Sequence, residues 1–330
     1  MKIQRIISRR NSPGRYYMDI VYEWEDIIAK HFNCKIRNDV WIKSKPKPFG
    51  HFSDLVTRIQ LGYANSIKYD IDTNASNRCN YSNIIPIIID FYESKESLTS
   101  FFERYSNHPL VFISSKEVYD YLIRSKCPLR IAHLPLSLPD KYMISQESNY
   151  QKKYDLVLMG RTNPVFLSYL ERYQKKYPNF SYIYPAKWER ARPWKIFEQC
   201  YYSSKGERIG ICDTRQKYFQ LMQSSKVALY STPSKDLPNN SKNGWNQVTP
   251  RFLEYLACGC HVLCRYDSNP DTHFYELERY WPSIDTYNDF EQKMNEALNN
   301  DVDVLFYSHY LKSHTTTATL SIIEEKIKGL

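Results

Sequence analysis

The chain has 330 residues, 42% of them hydrophobic and 15% aromatic, which excludes a disordered tail and suits two domains of roughly 150 residues each. No apolar run approaches the roughly 20 residues that cross a bilayer, and the start, M-K-I-Q-R-I-I-S-R-R, places charges inside any signal-like core, so neither a membrane span nor a secretory signal is expected. The 45 Lys and Arg against 36 Asp and Glu leave a formal charge of +9, which favours polyanions, sugar-nucleotide phosphates or an anionic membrane surface without choosing among them.

K-I-Q-R-I-I-S reads as a first strand and leads through R-R-N-S-P-G-R-Y-Y to a helix over about 18–32. N-I-I-P-I-I-I-D is a buried-type strand followed by the helical E-S-L-T-S-F-F-E-R-Y. P-L-V-F-I-S-S then leads to the helix K-E-V-Y-D-Y-L-I-R, and L-R-I-A-H-L-P-L-S follows. Near-continuous apolar strands alternating with helices predict a parallel sheet covered on both faces. A polar stretch over about 139–153 reads as a linker. The alternation restarts with the strand Y-D-L-V-L-M-G, the helix N-P-V-F-L-S-Y-L-E-R-Y-Q-K-K and the strand F-S-Y-I-Y. After E-R-I-G-I-C-D come the helix R-Q-K-Y-F-Q-L-M-Q-S-S, the strand K-V-A-L-Y-S, a short helix, the strand C-H-V-L-C-R and a helical tail from about 306. The expected fold is α/β, with two Rossmann-like, doubly wound domains facing across a cleft. Their spans are 1–145 and 146–330, and a carboxyl-terminal helix can pack back on the first. Ligands in such sheets bind beyond the carboxyl ends of the strands.

Eight cysteines without a secretory signal read as reduced thiols packed as small hydrophobes. The cluster Cys258, Cys260, His261 and Cys264 has no C-x2-C knuckle, and strand alternation points Cys260 and Cys264 away from His261, so no metal site is expected there. Nine glycines leave little for phosphate-cradling loops, and the absence of a dinucleotide fingerprint disfavours a P-loop kinase or a nicotinamide dehydrogenase.

The stretch T-P-R-F-L-E-Y-L-A-C-G-C-H-V-L-C-R sets a carboxylate, Glu254, among apolar residues. Thr249 suits an N-cap, Pro250 the first helical position and Gly259 a left-handed stop, which makes a helix of about two and a half turns. Arg251 and Glu254, three apart, share a face and could form an ordinary surface pair. Alternatively, the helix start offers amides and a dipole to a phosphate while Glu254, one turn on, accepts both hydroxyls of a ribose.

V-T-P-R-F-L-E-Y-L-A-C-G-C-H-V-L, preceded by Y-F-Q-L-M-Q-S-S-K-V-A-L-Y-S, resembles the carboxyl-terminal domain of B-type (GT-B) glycosyltransferases, most nearly the family 4-like group and its CgeB-like relatives. D-L-V-L-M-G-R-T likewise resembles the family's first strand of that domain, which ends in Gly-Arg. The likeness covers about 154–280 and is only topological before that. It implies that Glu254 holds the donor ribose, that Arg161, beside Thr162, meets the diphosphate, and that Thr249 with the amides around Val248 and Arg251 holds phosphates or donor sugar. Lys226 and Ser231 flank the strand under the same cleft. Asn246 stands where relatives often carry a second glutamate, eight residues before Glu254.

On this reading the protein is a cytoplasmic glycosyltransferase, peripheral on the inner membrane face. It would move a sugar from a nucleotide-diphosphate donor to a glycan or lipid-linked acceptor in bacterial surface-polysaccharide synthesis. The nucleotide sugar is a co-substrate rather than a cofactor, no nucleic-acid partner is expected, and the resemblance leans towards metal-independent retention. Neither D-I-D at 70–72 nor D-V-D at 301–303 lies in the usual metal-binding context. Asp90, at a strand end, is either a general base on the acceptor hydroxyl or a structural aspartate; Ile89 stands where relatives have histidine. N-S-P-G-R at 11–15 takes the place of an acceptor loop. The basic-aromatic stretch at 41–52, with Lys43, Lys45 and Lys47, suits either anionic headgroups or a solvated loop, and the stretch at 187–195 could line the donor cleft through Arg190 or Arg192. His133 reads as structural. An epimerase on the same fold, or a non-catalytic basic module, remains the alternative.

Overall fold

A computed structural model describes residues 1–8, 10, 16–38, 65–72, 82–94, 97–192, 196–236 and 244–330. The stretches 11–15 and 41–52 singled out above lie outside these residues, as does the end of 187–195. Two compact units result: the first comprises Met1–Gly14, Met18–Pro139 and Thr316–Leu330, the second Arg15–Tyr17 and Asp140–Thr315.

The first unit carries strands β1 (Arg5–Ser8), β2 (Lys35–Asn38), β3 (Ser66–Asp72), β4 (Ile84–Asp90), β5 (Val111–Ile113) and β6 (Ile131–His133). They form one sheet in the order β2-β1-β3-β4-β5-β6, and every pairing is parallel. Its helices are α1 (Asp19–His31), α2 (Leu98–Tyr105) and α3 (Lys116–Arg124). The apolar run of β4 buries its first five residues irrespective of alternation, as a strand covered on both faces must. Helix α3 starts where Ser115 accepts a hydrogen bond from the Val118 amide, a serine N-cap.

The second unit has β7 (Tyr154–Val157), α4 (Pro164–Lys176), β8 (Tyr182–Arg192), β9 (Ile196–Ser203), β10 (Arg208–Ile211), α5 (Arg215–Gln223), β11 (Ser225–Ser231), α6 (Pro250–Ala257) and β12 (His261–Arg265). Helices α7 (Pro270–Phe274), α8 (Leu277–Tyr280), α9 (Tyr287–Asn299) and α10 (Val304–Lys312) follow. The sheet order is β10-β9-β8-β7-β11-β12. Strands β8, β7, β11 and β12 are parallel, while β9 and β10 extend the sheet antiparallel. One face packs Leu156, Val227 and Leu263 against Phe166, Phe290 and Met294 of α4 and α9. Two Rossmann-like α/β units are therefore present.

The chain divides at Pro139/Asp140 rather than after 145. The last helix, α11 (Thr316–Lys328), belongs to the first unit because Leu320, Ile323 and Ile327 lie in that unit's core beside Trp24 and Ile67. Residues 187–192 of the basic-aromatic stretch run in β8, where Trp188 pairs in register with Gln199 of β9 and Arg190 with Phe197. The β-branched Ile196 and the aromatic Phe197, Tyr201 and Tyr202 give the partner strand β9 its strand propensity.

Candidate functional site

In the second sheet the chain runs outward from β7 to β8 and then returns to place β11 on the other side of β7. That reversal is a topological switch point, and ligands of open α/β sheets bind beyond the carboxyl ends of the strands there. The residues following β7 and β11 therefore define the candidate site.

After β7 the backbone turns at Gly160, with φ of +67°, a left-handed value that suits glycine. A second constraint acts at the same atom. A Cβ built on Gly160 would lie 2.6 Å from Nη2 of Arg251 and 2.9 Å from its Cζ, so the guanidinium occupies the space a side chain would need. The M-G-R-T and T-P-R-F-L-E stretches thus meet through Gly160 and Arg251. Arg161 is exposed, and its Nη1 donates to the Pro233 carbonyl beyond β11 at 3.4 Å. Asn163 caps α4 by accepting from the Val165 and Phe166 amides at 2.9 and 3.2 Å. Its Nδ2 donates to Lys235 O and to Asp236 Oδ2, at 3.1 and 2.8 Å. Arg265 grips Asp236 with Nε and Nη2 at 2.6 and 3.0 Å, and that hydrogen-bonded guanidinium holds the Asp236 carboxyl below the usual aspartate range. A small cleft bounded by Arg161, Thr162, Asn163 and Ser231 opens between these loops. A larger groove between α4 and α9 includes Lys176 and Tyr177, which lead towards the amino end of β8, so it lies away from the switch point.

Helix α6 forms as its sequence predicts, from Thr249 and Pro250 to Gly259 at φ +61°. Its start is nonetheless poorer in amide donors than expected. The Thr249 N–H donates to the Tyr230 hydroxyl at 2.8 Å, Pro250 has none to offer, and the Phe252 N–H turns back to Thr249 O at 3.1 Å. Burial pushes the Tyr230 phenol up to about 12, so it accepts that bond as a neutral hydroxyl.

Glu254 does not face the cleft. It is 3% exposed, and both oxygens are taken: Arg215 Nη1 donates to Oε1 at 2.6 Å, and the Tyr218 hydroxyl to Oε2 at 2.8 Å. Neither a ribose grip nor an Arg251–Glu254 surface pair describes this geometry. An unpaired buried carboxylate is costly, and α5 supplies the partners that a solvent-facing helix would not need. Arg215 and Tyr218, three apart on α5, were not singled out from the sequence. Their spacing shows that they share a helix face, but nothing local links them to a glutamate 39 and 36 residues away.

Lys226 is also misplaced in the sequence reading. It lies at the amino end of β11, opposite the switch point, and its Nζ donates to the Leu298 carbonyl in the last turn of α9 at 3.0 Å. A cation at a helix carboxyl terminus is sufficient reason for that lysine. Val248 is 1% exposed, so its side chain is core rather than a ligand contact. Asn246 clips its own loop, Oδ1 accepting from the Ser234 amide at 2.9 Å. Ser231 ends β11 at the cleft. Asp90, in the first unit, ends β4 and accepts from the Tyr92 hydroxyl at 3.3 Å. Among the described residues no group of three metal-ligating side chains converges, and no helix is long and apolar enough to cross a membrane. The buried thiols of Cys258 and Cys260 approach backbone carbonyls of Phe219 and Met222.

Residues 179–320 match the family model described as glycosyl transferase-like. None of the curated proteins compared matches the chain. Among solved structures, trehalose-6-phosphate synthase OtsA superposes with a TM-score of 0.54 at 11% identity, covering 87% of this chain and 78% of that one. The pneumococcal O-GlcNAc transferase GtfA, in complex with UDP and GlcNAc, gives 0.51 at 9% identity over 84% of this chain. This chain covers 59% of GtfA. At such identities the likeness concerns the fold.

Proposed function

We propose that this chain, which has the B-type glycosyltransferase fold and a glycosyl transferase-like domain over residues 179–320, moves a sugar from a nucleotide-diphosphate donor to an acceptor hydroxyl. The observation that carries the reading is the packing of the Arg251 guanidinium on Gly160, directly before the exposed Arg161, at the switch point of the second sheet. Donor binding is assigned to the second unit. Charge that develops on the departing diphosphate would meet guanidinium groups already in place, which is the commonest large contribution to transfer catalysis. The Asp236–Arg265 pair and the Asn163 cap hold the loops that carry Arg161.

The acceptor is assigned to the first unit, with Asp90 as candidate base for the attacking hydroxyl. A glycan or lipid-linked acceptor, retention of anomeric configuration without a metal, and work on surface polysaccharide at the inner membrane face belong to the same proposal. They are supported by the family likeness and the charge of +9.

A thermal-shift panel of nucleoside diphosphates and their sugars tests the reading. One base is expected to stabilise the protein, by about 2.7 kcal/mol at a hundredfold excess over Kd. Indifference to every nucleotide, together with salt-sensitive binding to any polyanion, would sink it in favour of a basic binding module.

A further inference from the structure

We infer that the polar groove between α4 and α9 is a binding site for an uncharged oligosaccharide, gripped by a stripe of amide side chains on α9. The inference goes beyond the transfer reading and uses none of its residues, because this groove lies away from the switch point.

The stripe is written in the spacing of α9. Asn288, Gln292, Asn295 and Asn299 follow one another at intervals of four, three and four residues, which sets them on one face of the helix, and all four line the groove. Asparagine is a weaker helix former than alanine, lysine or glutamate, so a merely solvated face gains nothing from three of them. Their return lies in chemistry. An amide carries donors and an acceptor side by side, and neighbouring sugar hydroxyls, which also donate and accept, match that pairing. Charge argues in the same direction. The chain carries +9, yet among the described lining residues Lys176 is set against Glu291 and Glu296. Lys176 is tied to Glu291 at 2.8 Å and Lys293 to Glu296 at 2.9 Å, so these cations are matched by carboxylates and the groove does not select a phosphate.

The groove is also formed in advance. Tyr173 of α4 is 1% exposed and donates its hydroxyl to Asn295 Oδ1 at 2.7 Å, which fixes that amide. Its ring packs on Tyr177 with centroids 4.4 Å apart and so holds a partly exposed aromatic surface in the lining. Asn299 Nδ2 donates to the Asn295 carbonyl and Gln292 Nε2 to Glu296 Oε1, each at 2.9 Å, so both rotamers are set while their side-chain carbonyls can still accept. Groups held in place before a ligand arrives spare it the ordering cost that weakens binding to flexible surfaces. With a volume of about 610 Å³ and a stripe about 16 Å long, the groove suits several linked sugar units rather than one. On an enzyme that extends a glycan, such a hold raises the local concentration of the chain being extended.

Calorimetric titration at low and high salt tests the groove, with maltoheptaose, cellohexaose, laminarihexaose and chitohexaose as neutral probes and a heparin hexasaccharide as the charged control. At least one neutral oligosaccharide is expected to bind, with an affinity that salt leaves unchanged. The N288A/Q292A/N299A variant removes exposed amides and raises helix propensity, so its circular dichroism spectrum should match the wild type's while that affinity falls about tenfold or more. Its thermal shift with nucleotides should stay as in the wild type. Should the triple variant fail to fold, N288A and N299A singly still test the stripe, each with a smaller loss. Binding of no neutral probe at millimolar concentration, tighter and salt-sensitive binding of the heparin fragment, or full affinity in the amide variants overturns the inference. Each of these leaves the donor reading intact. A wild type that binds an oligosaccharide through these amides but no nucleotide overturns the donor reading and leaves the groove.

Discussion

At the scale of single residues, a carboxylate inside an apolar helix was the most informative feature of the sequence, and its role differs from the one its position suggested. Glu254 and Arg215 are 4% and 8% exposed as side chains, so the pair is a buried one. Removing one member leaves the other's charge unpaired in a poorly solvated place and should cost about 3–5 kcal/mol, whereas replacing both by apolar residues of similar volume is often nearly neutral. E254M and R215M singly, against the double variant, test this by urea unfolding. The expected result is a coupling well above about 1 kcal/mol, and simple additivity would mean that the pair is not formed in solution. Gly160 is a second case. Its left-handed backbone could be read as a turn alone, yet the guanidinium packed on it explains why a side chain is excluded as well.

At the scale of elements, caps decide where the loops of the site sit. Asn163 starts α4 and at the same time ties it to Lys235 and Asp236 beyond β11. N163A should therefore lose more than the ~1 kcal/mol of an ordinary cap and should also weaken nucleotide binding, since the Arg161 loop is released. A stability loss with unchanged binding would show that the cap does not organise the site. The helix was legible in N-P-V-F-L-S-Y-L, but the ties from its Asn163 cap to Lys235 and Asp236 join residues more than seventy apart and were not. The β8–β9 hairpin was not, because a basic, tryptophan-rich stretch suggested a binding surface more strongly than a strand. Helix α11 was legible as a helix. Its assignment to the first unit depends on three apolar residues finding a core built from the other end of the chain.

At the scale of the whole molecule, acid should destabilise the fold through two buried imidazoles. Burial lowers both His133, at the end of β6, and His314, stacked on Tyr275, to about 4. Unfolded histidine titrates near about 6.5, so between the two values the unfolded chain binds more protons and stability falls as pH is lowered. Each group contributes up to about 1.4 kcal/mol per pH unit across that window and nothing further below it. Unfolding measured between pH 7 and 4 should show the loss, and H314F should flatten it; an identical slope in that variant would place the titration elsewhere.

Periodicity and composition by themselves determined that this chain alternates strand and helix twice over, ends α6 at Gly259 and starts it at Thr249, because those choices depend on local backbone preference and on apolar runs a few residues long. The resemblance to B-type glycosyltransferases, rather than periodicity or composition, is what singled out Arg161. Only the tertiary structure decided that Glu254 turns inward to α5, that Lys226 sits at the far end of its strand and that Arg251 lies on Gly160. Each of these depends on groups many residues apart meeting in a poorly solvated interior, where an ion pair or a missing Cβ has consequences that no local spacing records.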